Sequence, residues 1–196
     1  MGVIKAFIVY WHPEAKSFNA ARFHAAAEVL TGAGHEVRTS DLNAMRFDPI
    51  SSRSNFTSVK DPDYFKQQLE EMHAAETDGF APIIEAEMEK VEWCDLMIWQ
   101  FPLWWFGLPA TLKGWFDRVF AMGRFYGGSR AGGRGKRALL SLTTGGPQEG
   151  YVTGGYNRAI AGILRQSHRG IIQFTCFERF GPQLVSGPAR MKRARQ

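Results

Sequence analysis

The stretch Asp95–Phe120, DLMIWQFPLWWFGLPATLKGWFDRVF, contains a strand, a loop and a helix in direct succession. Asp95–Phe101 (DLMIWQF) is a short apolar run ended by Pro102, the pattern of a strand buried on both faces. After Pro109, residues Leu112, Trp115, Phe116, Val119 and Phe120 recur at helical spacing, and Gly123 ends that helix. A buried strand leading into a helix with one apolar face is half of a βαβ unit.

The same alternation extends to both sides. Val3–Tyr10 (VIKAFIVY) reads as a buried strand and Ser17–Leu30 as a helix stopped by Gly32 and Gly34. His35–Asp41 alternates like a more exposed strand, and Asn43–Lys60 is loop. Asp61-Pro62 opens a polar helix to about Glu76, and Pro82–Trp93 is another helix. Ala138–Thr143 is a fourth strand, Asn157–Gln166 a helix, and Ile171–Phe177 a fifth strand. Strands alternating with helices imply parallel units with right-handed crossovers. The expected fold is α/β: a flavodoxin-like three-layer sandwich around a five-stranded parallel sheet of order 2-1-3-4-5.

Composition is consistent with one domain over residues 1–196, 44% hydrophobic and 22% charged. No apolar run reaches the roughly 20 residues needed to cross a bilayer, so membrane insertion is not expected. Cys94 and Cys176 form no CxxC pair, which predicts a reduced, cytoplasmic setting. The charge of +5 sits mostly in Arg190, Lys192, Arg193 and Arg195. A second basic stretch, Arg124, Arg130, Arg134, Lys136 and Arg137, either faces an anionic cofactor or is a solvated face. No nucleic-acid recognition motif accompanies these charges. The five histidines show no ligand spacing, so no metal site is expected.

In such a sheet, ligands bind beyond the carboxyl ends of the strands, where strand order reverses. Three unusual loops should meet there. Trp11–Asn19 (WHPEAKSFN) runs into a helix start, which offers free amides to phosphate; Ser17 and Asn19 would serve equally as plain caps. There is no GxGxxG or P-loop pattern. Phe101–Ala110 (FPLWWFGLPA) packs aromatics around Gly107, either to line a flat ligand or to plug a core or dimer contact. Thr143–Tyr151 (TTGGPQEGY) brings hydroxyls and small surfaces to a strand end, as a ligand edge or as a bland turn. Together the three describe a phosphate-bearing, planar cofactor, and a flavin fits.

HPEAKSFNAA, FPLWWFGLPATLKGWFDRVF and LSLTTGGPQEGY resemble the NAD(P)H:quinone reductase family, over about Ile4 to Met191. The resemblance implies a homodimer binding FAD rather than FMN, with NAD(P)H as co-substrate, a quinone or similar acceptor, and an active site at the dimer interface. It places His12, Ser17, Phe18, Asn19 and Ala21 on the adenine dinucleotide part of FAD. Pro102, Leu103, Trp104, Trp105 and Phe106 fall along the isoalloxazine, and Thr143, Thr144, Gly145 and Gly146 at its polar edge. Tyr151 falls near the N1/O2 side, and Gly146 borders the substrate space. Asn157 stands where mammalian members carry a histidine, six residues after that tyrosine. The implied reaction is a ping-pong exchange in which NAD(P)H reduces the flavin and a quinone then takes its place. Two other readings share the fold: a flavin-binding regulatory subunit of a membrane transporter, or an electron carrier without its own substrate.

Overall fold

The computed structural model describes residues 2–127 and 131–190. Arg130 and the basic tail residues Lys192, Arg193 and Arg195 lie outside the described residues. The elements are β1 (Lys5–Tyr10), α1 (Phe18–Gly32), β2 (Glu36–Asp41), α2 (Gln67–Thr77), α3 (Pro82–Trp93), β3 (Leu96–Pro102), α4 (Ala110–Val119), β4 (Arg137–Thr144), α5 (Ile160–Ile163), a π-helical segment (Gln166–Gln173), β5 (Glu178–Arg179) and β6 (Gln183–Ser186).

The strands form one parallel sheet of order β2-β1-β3-β4-β5, with β6 also on β4. Alternation along β1 divides the core. Phe7 and Val9 join Met97, Trp99 and Phe101 under α3 and α4, while Ile8 and Tyr10 join Leu96 and Ile98 under α1. α4 lies close to the loop before α2 because Gly114 has no side chain. A Cβ there would stand 2.3 Å from the Pro49 carbonyl oxygen.

Three expectations are corrected. Asp61 does not start a helix: its carboxylate accepts from the amides of Asp63 (2.9 Å) and Tyr64 (3.1 Å), closing a local turn, and α2 begins only at Gln67. The helix expected over Asn157–Gln166 is a short α5 that continues into the π-helical segment. Ile171–Phe177 is not a strand. Leu164, His168 and Ile172 are buried at a spacing of four, wider than the 3.6 of an α-helix, and the backbone widens to keep all three facing inward. Cys176, at φ 67°, turns the chain out of it.

The fifth strand follows and is interrupted. Ala138 pairs with Arg179 and Ser141 with Gln183, so the outer strand has one residue more than β4 between these pairs. Gly181 and Pro182 sit in that interval, where proline has no amide to give to the ladder.

Candidate active site

The carboxyl ends of β1, β3 and β4 are neighbours: Tyr10 is paired with Gln100, and Pro102 with Thr143. The Trp11 amide donates to the Gln100 carbonyl (3.2 Å) and the Leu103 amide to the Thr143 carbonyl (2.8 Å). All three expected loops therefore share one sheet edge.

In the first loop, Ser17 is the N-cap of α1 and its hydroxyl accepts from the Ala20 amide at 3.0 Å. Its proton remains available as a donor. The amides of Phe18 and Asn19 have no protein acceptor among the described residues, which leaves the positive end of α1 open. His12 Nδ1 lies 3.0 Å from the Glu14 amide and 3.2 Å from the Glu14 carbonyl, so Glu14 ties this side of the ring in either tautomer and Nε2 makes no bond within the protein among the described residues. Ala21 and Phe18 are exposed on the first turn of α1.

The second loop is a two-residue hairpin. The Gly107 amide donates to the Trp104 carbonyl (2.9 Å) and the Trp104 amide to the Gly107 carbonyl (3.3 Å). Both central residues have positive φ, 48° at Trp105 and 59° at Phe106. This is a type I′ turn, which normally takes Asn-Gly; a bulky residue in the left-handed region costs roughly 1–2 kcal/mol. The two strained residues also stand in water, Trp105 97% exposed and Phe106 51%, beside a 44% exposed Trp104. Trp11, which sequence reasoning passed over, braces them with its ring edge-on to Trp104 at 4.9 Å. Its aromatic character beside His12 was the available signal.

The third loop rests on a buried polar chain that sequence reasoning also missed. Arg22 Nη2 donates to Ser141 Oγ (2.8 Å) and Ser141 to Gln100 Oε1 (2.6 Å). Gln100 Nε2 then donates to Asn19 Oδ1 (2.7 Å), and Asn19 Nδ2 to Thr143 Oγ1 (2.9 Å). Every donor points the same way, from a guanidinium towards Thr143, whose hydroxyl proton is the free end. Bonds aligned in series polarise one another, which makes Thr143 a strengthened donor. Asn19 thus acts within the protein rather than outward. Thr144 donates to the Gly146 carbonyl (2.9 Å). Gly145 has open space where a Cβ would be. A Cβ on Gly146 would lie 3.3 Å from Tyr156 Oη and 3.5 Å from Tyr151 Oη, so two phenols flank that glycine. Tyr156 was not anticipated, although it closes the same glycine-rich run. Asn157 is tied to this loop through its amide, which donates to the Gly150 carbonyl (2.9 Å).

These loops form an open shelf. A cavity of about 750 Å³ lies beside the shelf, between the aromatic loop, α2, α4 and the π-helical segment. Phe106 and Leu103 line it from the loop, and Glu71, Tyr126 and Phe174 from the far side. Burial pushes the Glu71 carboxyl above its ordinary range, against the opposing bond from the Met122 amide (2.7 Å).

Arg124 and Lys136 of the second basic stretch are engaged away from the shelf. Arg124 is paired with Glu85 (2.6 Å) and Glu92 (2.7 Å), and Lys136 donates to the carbonyls of Glu92 and Cys94. Both sit at the amino-terminal side of β4. On α4, Asp117 pairs with Lys113, but Arg118 is buried and bonds Asn55 Oδ1 (2.7 Å) instead of a carboxylate.

The flavodoxin-like fold model matches residues 4–196. A guinea-pig protein, NAD(P)H dehydrogenase (quinone) 1, is 43% identical over 93% of this chain and 68% of its own length. The chain belongs to the flavodoxin-like quinone reductase family. Rat ribosyldihydronicotinamide dehydrogenase (quinone) is 39% identical over 94% of this chain and 82% of its own. A Klebsiella pneumoniae structure assigned as a quinone reductase has a TM-score of 0.91 at 35% identity, covering 97% of this chain and 78% of that one. Membership of this reductase family fits a shelf of three loops with a free helix end on one side and a strained aromatic turn on the other.

Proposed function

We propose that the protein is an FAD-dependent NAD(P)H:quinone reductase that works as a homodimer with its active site at the interface. The strained, exposed Trp105-Phe106 turn carries the reading, because strain of this kind persists where function requires it. A flavin fits the groups around it: flat rings beside Trp104–Phe106, open backbone at Gly145, a polarised donor at Thr143, and unpaired amides at the start of α1 for phosphate.

His12 Nε2, the Ser17 hydroxyl and the amides of Phe18 and Asn19 hold the adenine dinucleotide part, with Ala21 leaving room beside it. Pro102, Leu103, Trp104, Trp105 and Phe106 wall the isoalloxazine. Thr143, Thr144, Gly145 and Gly146 meet its polar edge, Gly146 on the substrate side. A bound flavin supplies two-electron hydride chemistry between NAD(P)H and a quinone in a ping-pong cycle. Tyr151 donates where negative charge develops in the reduced state. Asn157 donates a hydrogen bond but cannot become a cation, so it orients and does not shuttle a proton. A second copy would cover the exposed Trp105, Phe106 and Phe174 and enclose the open cavity.

Tyr151→Phe should slow NAD(P)H-driven bleaching of the flavin about 10-fold, the loss of one modest hydrogen bond. An unchanged stopped-flow rate would remove Tyr151 from this role. Steady-state rates against both substrates should give parallel double-reciprocal lines; intersecting lines would overturn the ping-pong order.

A further inference from the structure

A second groove of about 710 Å³ opens on the other side of Phe106, formed by the chain around α5 and the π-helical segment. Arg158, Arg165 and Arg169 line it, with no acidic residue in its wall. None of the three has a carboxylate within 4.0 Å among the described residues, whereas Arg124 is doubly paired and Arg118 is bonded inside the protein. The groove shares Phe106, Ile163, Gln166 and Gly170 with the large cavity, so the two are continuous around the aromatic turn.

Three unneutralised guanidinium groups in one groove repel one another and cost stability. Arg158 is also held in place: its stem lies over Gly162, where a Cβ would approach Arg158 Cδ to 3.2 Å. Arg165 caps the π-helical segment and Arg169 lies within it, a backbone form found frequently at functional sites. An arginine fork matches phosphate oxygens in pairs and is the ordinary means of reading a phosphate dianion.

We infer that Arg158, Arg165 and Arg169 bind the 2′-phosphate of NADPH and make the protein selective for NADPH over NADH. The inference rests on the reading of the shelf as the flavin site. With the nicotinamide over the flavin beside Phe106, the adenosine end of the co-substrate extends past that ring into the arginine groove. NADH lacks that phosphate and gives the three arginines no such partner.

The test combines kinetics with equilibrium binding on the FAD-loaded protein. The unaltered protein should show kcat/KM at least about 10-fold higher for NADPH than for NADH. The triple variant Arg158→Ala, Arg165→Ala, Arg169→Ala should lose about 30-fold with NADPH, the worth of about one charge-assisted bond, and change less than about 3-fold with NADH. Calorimetric titration with 2′,5′-ADP should show the same loss, while 5′-AMP binding stays unchanged. Thermal unfolding confirms that the variant is folded. Equal losses with both nucleotides, or none with NADPH, would overturn the inference. If neither nucleotide reduces the flavin, the reductase reading fails instead. The 2′,5′-ADP titration still decides the phosphate site, because it requires no turnover.

Discussion

Trp105 and Phe106 occupy positions that Asn-Gly would fill with less strain. The double variant Trp105→Asn, Phe106→Gly should therefore stabilise the fold by about 1–2 kcal/mol in denaturant unfolding. It should also abolish flavin retention. A variant that is no more stable would mean the turn is not strained. Gln100 is the middle of the chain from Arg22 to Thr143. Gln100→Leu leaves Asn19 and Ser141 with buried, unpaired groups and should cost about 2 kcal/mol. Flavin affinity should fall with it, since Asn19 no longer orients Thr143; unchanged affinity would remove the relay from the site. The loops at the carboxyl edge were legible in the sequence because strand order alone places them together. Gln100, Ser141 and Arg22 were not, because their alignment depends on the pairing register of β3 and β4 and on the rotation of α1.

The π-helical segment and α4 carry the predictions for whole elements. Burial and the nearby Arg179 hold the His168 imidazole below its ordinary range, so the folded state disfavours its protonation. Its contribution is intact above the ordinary histidine value of about 6.5 and is lost as pH falls through the lower folded value. His168→Gln should show a smaller drop in melting temperature between about pH 7.5 and pH 5 than the unaltered protein. An equal drop would place the acid sensitivity elsewhere. On α4, Gly114→Ala drives a methyl group into Pro49 and should cost about 2 kcal/mol or more. Most elements were legible within a few residues, Pro82–Trp93 at both ends. The run Ile171–Phe177 was not, because a short apolar stretch suits a buried strand and a buried helix alike. Its partners decide: Leu164 and His168 continue its inward face, and the edge of β4 is taken by Glu178–Arg179 and Gln183–Ser186.

At the scale of the molecule, the sheet order and both helix layers followed from the alternation of strands and helices. The enclosure of the site did not, because the shelf is open in one chain and its aromatic turn faces outward. A dimer in which each copy covers the other's turn would close it. Among the described residues no helix is long and apolar enough to cross a membrane. Cys94 is buried and Cys176 exposed, and neither is in a disulfide among the described residues.

On the proposed reading, the three-loop shelf holds a flavin that NAD(P)H reduces and a quinone reoxidises. The most direct measurement is the visible spectrum of the purified protein, followed through anaerobic addition of NADPH and then of a quinone. The protein should show a flavin spectrum that bleaches on NADPH and returns with the quinone. A protein that remains colourless even after incubation with FAD, or a bound flavin that stays oxidised, would contradict it.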